Sequence, residues 1–236
     1  MKVFSKGEKL LWTVSAAAVI GSFLWFDREN LLTLTASLVG VTSLLFNAKG
    51  NPIGQVLMVL FSLMYGIISW QAQYYGEMIT YLGMTMPMAV FALIAWLRNP
   101  FEGNRAEVTV NRISRGEWLV CALLTVLVTL LFYFVLRAFR TQQLFFSTLS
   151  VTTSFAAVYL TWRRSPLFAV AYAANDIVLI VLWCLAAAKD SSCLSVVVCF
   201  AAFLINDIYG YLSWQRMAIR QAAARQDCAV WPKRPE

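Results

Sequence analysis

The sequence predicts an all-α integral membrane protein with eight transmembrane helices: one extra N-terminal helix, then two parallel three-helix bundles joined by a linker helix. Three observations predict it. Hydrophobic residues make up 60% of the 236 residues and charged residues only 13%, against about a quarter charged in a soluble domain. Apolar stretches of about 20 residues, enough to span a bilayer as a helix, recur along the chain. Between them, lysine and arginine alternate in abundance from one side to the other.

The eight segments run over roughly 9–26, 31–47, 53–74, 78–97, 117–138, 143–161, 166–187 and 192–214. They are apolar on most faces, which suits lipid better than an amphipathic soluble helix. The first follows Lys2, Lys6 and Lys9 but has no small-residue cleavage site before Asp27, so it reads as a retained helix and not as a signal peptide. Pro52, Pro100 and Pro166 punctuate segment ends, whereas Pro87 lies inside the fourth and should free a backbone carbonyl and kink it. With the N-terminus inside, fifteen lysines and arginines fall inside and four (Arg28, Arg137, Arg140, Lys189) outside. That bias puts both termini on the cytoplasmic side and supports an even number of helices. The loop at 98–116 reads as a plain cytoplasmic connection. The tail after Trp214 reads as basic and close to anionic lipid. Trp70, Trp96 and Trp214 near segment ends read as interfacial belt residues.

Composition narrows the chemistry. The formal charge of +7 fits positive loops and gives no reason to invoke nucleic acid. The five cysteines (Cys121, Cys184, Cys193, Cys199, Cys228) lack CxxC spacing and imply neither disulfide nor metal site. There is no histidine, which removes the commonest metal ligand and acid–base catalyst. No cofactor and no enzymatic activity are expected.

Self-similarity separates the two halves. Leu38–Ser43 matches Leu149–Ser154, Asn51-Pro52 matches Ser165-Pro166, Ile67–Trp70 matches Ile180–Trp183, and Trp96-Leu97-Arg98 matches Trp214-Gln215-Arg216. The order is conserved, at separations of 111–118 residues. The chain then divides into an extra helix (1–30), a first repeat (31–97), a loop and linker helix (98–142), a second repeat (143–214) and a tail (215–236). An odd linker makes the repeats parallel.

The polar residues that lipid should resist are Asn175-Asp176 in the seventh segment and Asn206-Asp207 in the eighth. Ionisable groups in membrane helices normally face the bundle interior or a water-filled cavity. Tyr172, Asp176 and Trp183 share a helical face with Asn175 beside it; Asn206, Tyr209 and Ser213 share another, with Asp207 adjacent. Both faces can line one midplane cavity. Tyr65, with Gln55, Ser62 and Ser69 on the same helix, can add to it, as can Tyr81 and Thr85 with Met88. The sixth segment offers Thr152 with Thr148 and Tyr159. Carboxylates and aromatic faces suit a cationic ring, and asparagines suit a ribose or carboxamide.

The three-one-three plan, together with residues 50–100, 150–166, YAANDIVLIVLW (172–183) and NDIYGYLSW (206–214), resembles the PnuC family of vitamin-precursor transporters, whose architecture is similar to that of the SWEET sugar carriers. The resemblance covers roughly 31–220. It implies facilitated diffusion of nicotinamide riboside across the bacterial inner membrane, with trapping by cytoplasmic phosphorylation; family members can be homotrimers. Many such carriers have Trp-x-x-Trp-x-x-x-Asn on the helix matching the seventh. Here Asn175 holds the Asn place, but Phe168 and Ala171 hold the Trp places, while Tyr209-Gly210 keeps the eighth-helix motif. Thiamine, riboflavin, a deoxynucleoside, proton symport, and a membrane sensor or scaffold are the alternatives.

Overall fold

The computed structural model describes residues 4–141 and 143–230. Lys2, Lys233, Arg234 and the Cys228 side chain lie outside what it describes. Among the described residues, eight helical spans are long and apolar enough to cross a membrane. In order they are α1 (Lys6–Phe26), α2 (Leu31–Ala48), α3 (Ile53–Gln71), a composite fourth span of α4 (Tyr75–Thr80), a π turn (Tyr81–Thr85) and α5 (Met86–Leu97), then α6 (Arg115–Ala138), α7 (Leu144–Trp162), α8 (Phe168–Ala187) and α9 (Leu194–Val230).

The ends of these spans have local causes. Ser5 and Ser114 begin α1 and α6 with full capping boxes, each bonding the backbone of a glutamate (Glu8, Glu117) whose carboxylate returns the bond. α2 and α7 end alike. Gly50 (φ +64°) and Arg164 (φ +58°) both adopt the left-handed conformation. Asn51 N–H donates to Phe46 O and Ser165 N–H to Leu160 O, each at 3.0 Å, and each turn then meets proline.

The two helix-end tryptophans repeat this correspondence. Trp96 Nε1 donates to Thr161 O at the end of α7 (3.0 Å), and Trp214 Nε1 donates to Asn47 O at the end of α2 (2.7 Å). Both indoles are buried, in a cluster with Phe168 and Leu160. The interfacial belt expected for them does not hold for these two, whereas Trp70 is 60% exposed. Tertiary packing of the last turn draws the other two inward.

Three further expectations change. The 98–116 connection is not plain loop: β1 (Pro100–Phe101) and β2 (Asn104–Val108) form an antiparallel hairpin. The end of β2 and the segment after it bond both helix-end turns, Val108 N–H to Gly50 O and Asn111 N–H to Arg164 O. The eighth span does not stop near 214. α9 has 37 residues, about 55 Å at 1.5 Å per residue, well beyond a hydrocarbon core of about 30 Å. Gln221 pins the projecting part to the hairpin through Glu107, Val108 O and Val110 N–H. Pro87 disturbs the fourth span as expected, but the relief is a π turn in which Met86 N–H reaches back to Tyr81 O.

α2, α3, α8 and α9 enclose the main core, with the π turn against it. Gly40 on α2 is required there: a Cβ would lie 2.2 Å from the Phe203 ring and 3.0 Å from Phe61. Gly40→Ala should therefore displace both rings and cost about 1–3 kcal/mol as an overpacked core, seen as a lower unfolding temperature.

Candidate substrate site

A tight cavity lies inside the bundle, lined by Tyr81 and Thr85 of the fourth span, Ser154 of α7, Tyr172, Asn175 and Asp176 of α8, and Asp207 of α9. Leu44, Met58, Phe61, Phe200 and Phe203 complete its wall. Its water-accessible space is about 20 Å³, room for one or two waters. Any ligand larger than that enters only when the helices separate.

Each polar group is placed by its helix. Asn175 is held by α7: its Oδ1 accepts from Thr153 Oγ1 (2.8 Å) and Ser154 Oγ (2.9 Å). With the carbonyl so occupied, the amide NH₂ is the end offered to a ligand acceptor. Asp176 is 3% exposed and its Oδ2 has no protein partner. Asp207, 4% exposed, brings its carboxyl against that of Asp176. Tyr81 and Thr85, four residues apart, fall on one side of the span. No lysine or arginine lines the cavity.

Tyr65 and Trp183 are one layer removed. Trp183 Nε1 donates to the Tyr65 hydroxyl, and both are buried. Tyr65 packs on Tyr81 (4.3 Å between ring centroids), Phe200 (5.4 Å) and Phe61 (5.5 Å), all wall residues. Tyr74 covers Trp183 from the α3–α4 connection (5.2 Å). These rings close one end of the cavity. At the other end, Phe168 stands between Tyr172 and Trp214 (6.2 and 5.0 Å) with Ala171 beside that cluster.

Three expected residues point elsewhere. Asn206 donates to Ser15 Oγ (2.9 Å), and the Tyr209 hydroxyl donates to Glu8 Oε1 (3.0 Å). Both partners belong to α1, so this face of α9 docks the extra helix. Lys49 reinforces that dock at 3.0 Å from Glu8. A step of one residue turns a helix by about 100°, which is why Asp207 reaches the cavity and its neighbour Asn206 does not. Thr152 pairs with Thr129 of α6 at 3.0 Å, and Tyr159 packs against Cys121 of α6. That face of α7 serves the linker helix. Gln55 is buried in a bond to Asn47 Oδ1 (2.8 Å).

The sequence reading passed over Ser154, Thr153 and Glu77. α7 carries hydroxyls on every side, so spacing alone could not choose between its faces. Glu77 fell just outside the expected fourth segment, yet it lies within α4 and is 0% exposed.

The comparisons with known proteins agree with this fold. The nicotinamide mononucleotide transporter family model matches residues 30–216. A nicotinamide riboside transporter PnuC of Neisseria mucosa is 23% identical over 216 residues, 90% of this chain and 82% of that protein. The protein of the same name from Haemophilus influenzae is 22% identical over 221 residues, 92% and 95% of the two chains. The crystal structure of a vitamin B3 transporter PnuC superposes with a TM-score of 0.82 at 20% identity, covering 94% of this chain and 95% of that one. A multi-pass bundle of eight apolar spans and a family match across most of its length lead to one conclusion: this chain belongs to the nicotinamide mononucleotide transporter family of bacterial inner-membrane proteins.

Proposed function

We infer that the chain carries nicotinamide riboside, the unphosphorylated cationic nucleoside, by facilitated diffusion. One observation carries the choice: the cavity presents two carboxyl groups, Asp176 and Asp207, and no lysine or arginine. A pyridinium ring gains from carboxylates and from the Tyr81, Tyr172 and Phe61 rings. A phosphate would meet like charge in a low-dielectric site. The site therefore favours the substrate in the relatives' names, nicotinamide riboside, over the mononucleotide in the family's name. The Asn175 amide suits the carboxamide, and Ser154 and Thr85 suit ribose hydroxyls.

The transport cycle follows from two parallel repeats, 31–97 and 143–214, rocking about the cavity. The matched turns at Gly50 and Arg164 and the reciprocal Trp96 and Trp214 bonds support that reading. Both termini are cytoplasmic by the fifteen-to-four charge bias, and phosphorylation there traps the substrate. A homotrimer would use the lipid-facing side of α6, where Leu119, Leu123, Leu127 and Phe134 are exposed. Thiamine is the second reading, favoured by Phe168 and Ala171 in the motif places and by its own cationic ring.

Uptake of labelled nicotinamide riboside into proteoliposomes, with no ion gradient, tests the proposal. Saturable flux that equilibrates without accumulating is expected. Absence of saturable flux overturns it, and accumulation driven by an imposed proton gradient overturns facilitated diffusion.

A further inference from the structure

Glu77 is the buried carboxylate that the cavity does not explain. It is 0% exposed, in the first turn of α4. Its Oε2 has a single, long contact with Ser150 Oγ (3.5 Å), and its Oε1 has no protein partner. No lysine or arginine of the described residues bonds to it. An intramembrane ionisable group without a partner is costly, and such groups usually mark a substrate or ion pathway.

Its position in the row is informative. Glu77, Tyr81 and Thr85 are spaced by four and fall on one side of the span. Tyr81 and Thr85 line the cavity, so Glu77 stands one step of about 6 Å beyond Tyr81 along the same line, towards the α3–α4 connection. α3 faces this line with Ser62, Gly66 and Ser69; a Cβ on Gly66 would meet Leu82 of the fourth span at 2.6 Å. The Ser62, Ser69 and Thr85 hydroxyls are buried without protein partners, as are Asp176 Oδ2 and Glu77 Oε1. Buried polar atoms are normally satisfied, and each exception asks for an explanation. Four of the eight such atoms among the described residues, those of Ser62, Ser69, Glu77 and Thr85, belong to α3 and the fourth span, and Asp176 on α8 stands at the cavity end of that seam; those of Thr141, Arg163 and Asn206 lie elsewhere.

We propose that Glu77 and the plug of Tyr65, Tyr74, Tyr81 and Trp183 form a second, cation-selective station on the transport path, on the far side of the plug from Asp176 and Asp207. When α3 and the fourth span part, a flat cationic ring passes from Glu77 between the aromatic faces to the carboxyl pair. The two stations make the path selective for charge before the substrate reaches the central cavity. The station rests on the proposed carriage of a cationic nucleoside.

The test compares charge at constant shape. Glu77→Gln keeps an acceptor for Ser150 and removes the charge; Glu77→Asp keeps the charge. In proteoliposomes of the full chain, Glu77→Gln should lower kcat/KM for nicotinamide riboside at least tenfold. Flux of its uncharged dihydro form should stay within twofold, and Glu77→Asp should recover much of the loss. Equal losses for both substrates, or no loss for either, would overturn the station. Thermal stabilisation of purified protein by 1-methylnicotinamide and thiamine gives a readout that needs no flux. Should wild type fail to carry nicotinamide riboside, the functional reading falls, and the station is judged by this readout. Reduced stabilisation of Glu77→Gln by both cations supports it, and stabilisation equal to wild type overturns it.

Discussion

Asp207→Asn and Asp176→Asn are each expected to weaken nicotinamide riboside binding at least tenfold, about 1.4 kcal/mol, while raising the unfolding temperature of the ligand-free protein. The two effects share one cause. The carboxyls lie against each other, nearly fully buried, with Asp176 Oδ2 unpartnered. Neutralising either one removes part of a desolvation and repulsion cost from the resting protein. It also removes the attraction that a pyridinium ring would gain between Tyr81 and Tyr172. Calorimetric binding and thermal unfolding of the same preparation check both halves. A variant that loses stability together with affinity would mean the pair is structural.

Trp214→Ala is expected to destabilise the protein by about 3–5 kcal/mol, the range for removing a large buried ring. Trp214 is 0% exposed, packs on Trp96 (5.5 Å) and Phe168, and donates to Asn47 O. Trp214→Phe keeps most of the packing and loses the hydrogen bond, so about 1 kcal/mol is expected. Trp70→Ala, at a site 60% exposed, should change stability little. Thermal unfolding in one detergent ranks the three. A Trp70 variant as damaging as the Trp214 variant would contradict the assignment of Trp214 to the core.

The helix count and the apolar spans were legible because lipid imposes them: length and hydropathy mark a span, and a carboxylate inside one stands out, as those of the Asn-Asp pairs do. Helix phase was not legible. In a span that is apolar all round, no stripe tells which side meets protein, so Asn206 and Asp207 looked equivalent although one faces α1 and the other the cavity. The hydroxyls of α7 posed the same ambiguity, and Thr152 went to α6 while Ser154 went to the site. A tryptophan at a span end carries the same local signal whether it faces headgroups or a neighbouring helix; only the carbonyls of Asn47 and Thr161 distinguish Trp214 and Trp96 from Trp70. Glu77 was missed because a charge normally ends a hydropathy segment, whereas here α4 begins before it. The departure at Phe168 and Ala171 also gains a location. Those places lie in the cluster beneath Tyr172, at the end of the cavity away from the plug.

The central claim is that the cavity selects a cationic, unphosphorylated nucleoside through Asp176 and Asp207. Displacement of labelled nicotinamide riboside from the purified full chain, by its dihydro form and by nicotinamide mononucleotide, tests this most directly. Both competitors are expected to be at least tenfold weaker than unlabelled nicotinamide riboside, one for want of positive charge and the other for its phosphate. Competition by the mononucleotide as strong as by the riboside would contradict it.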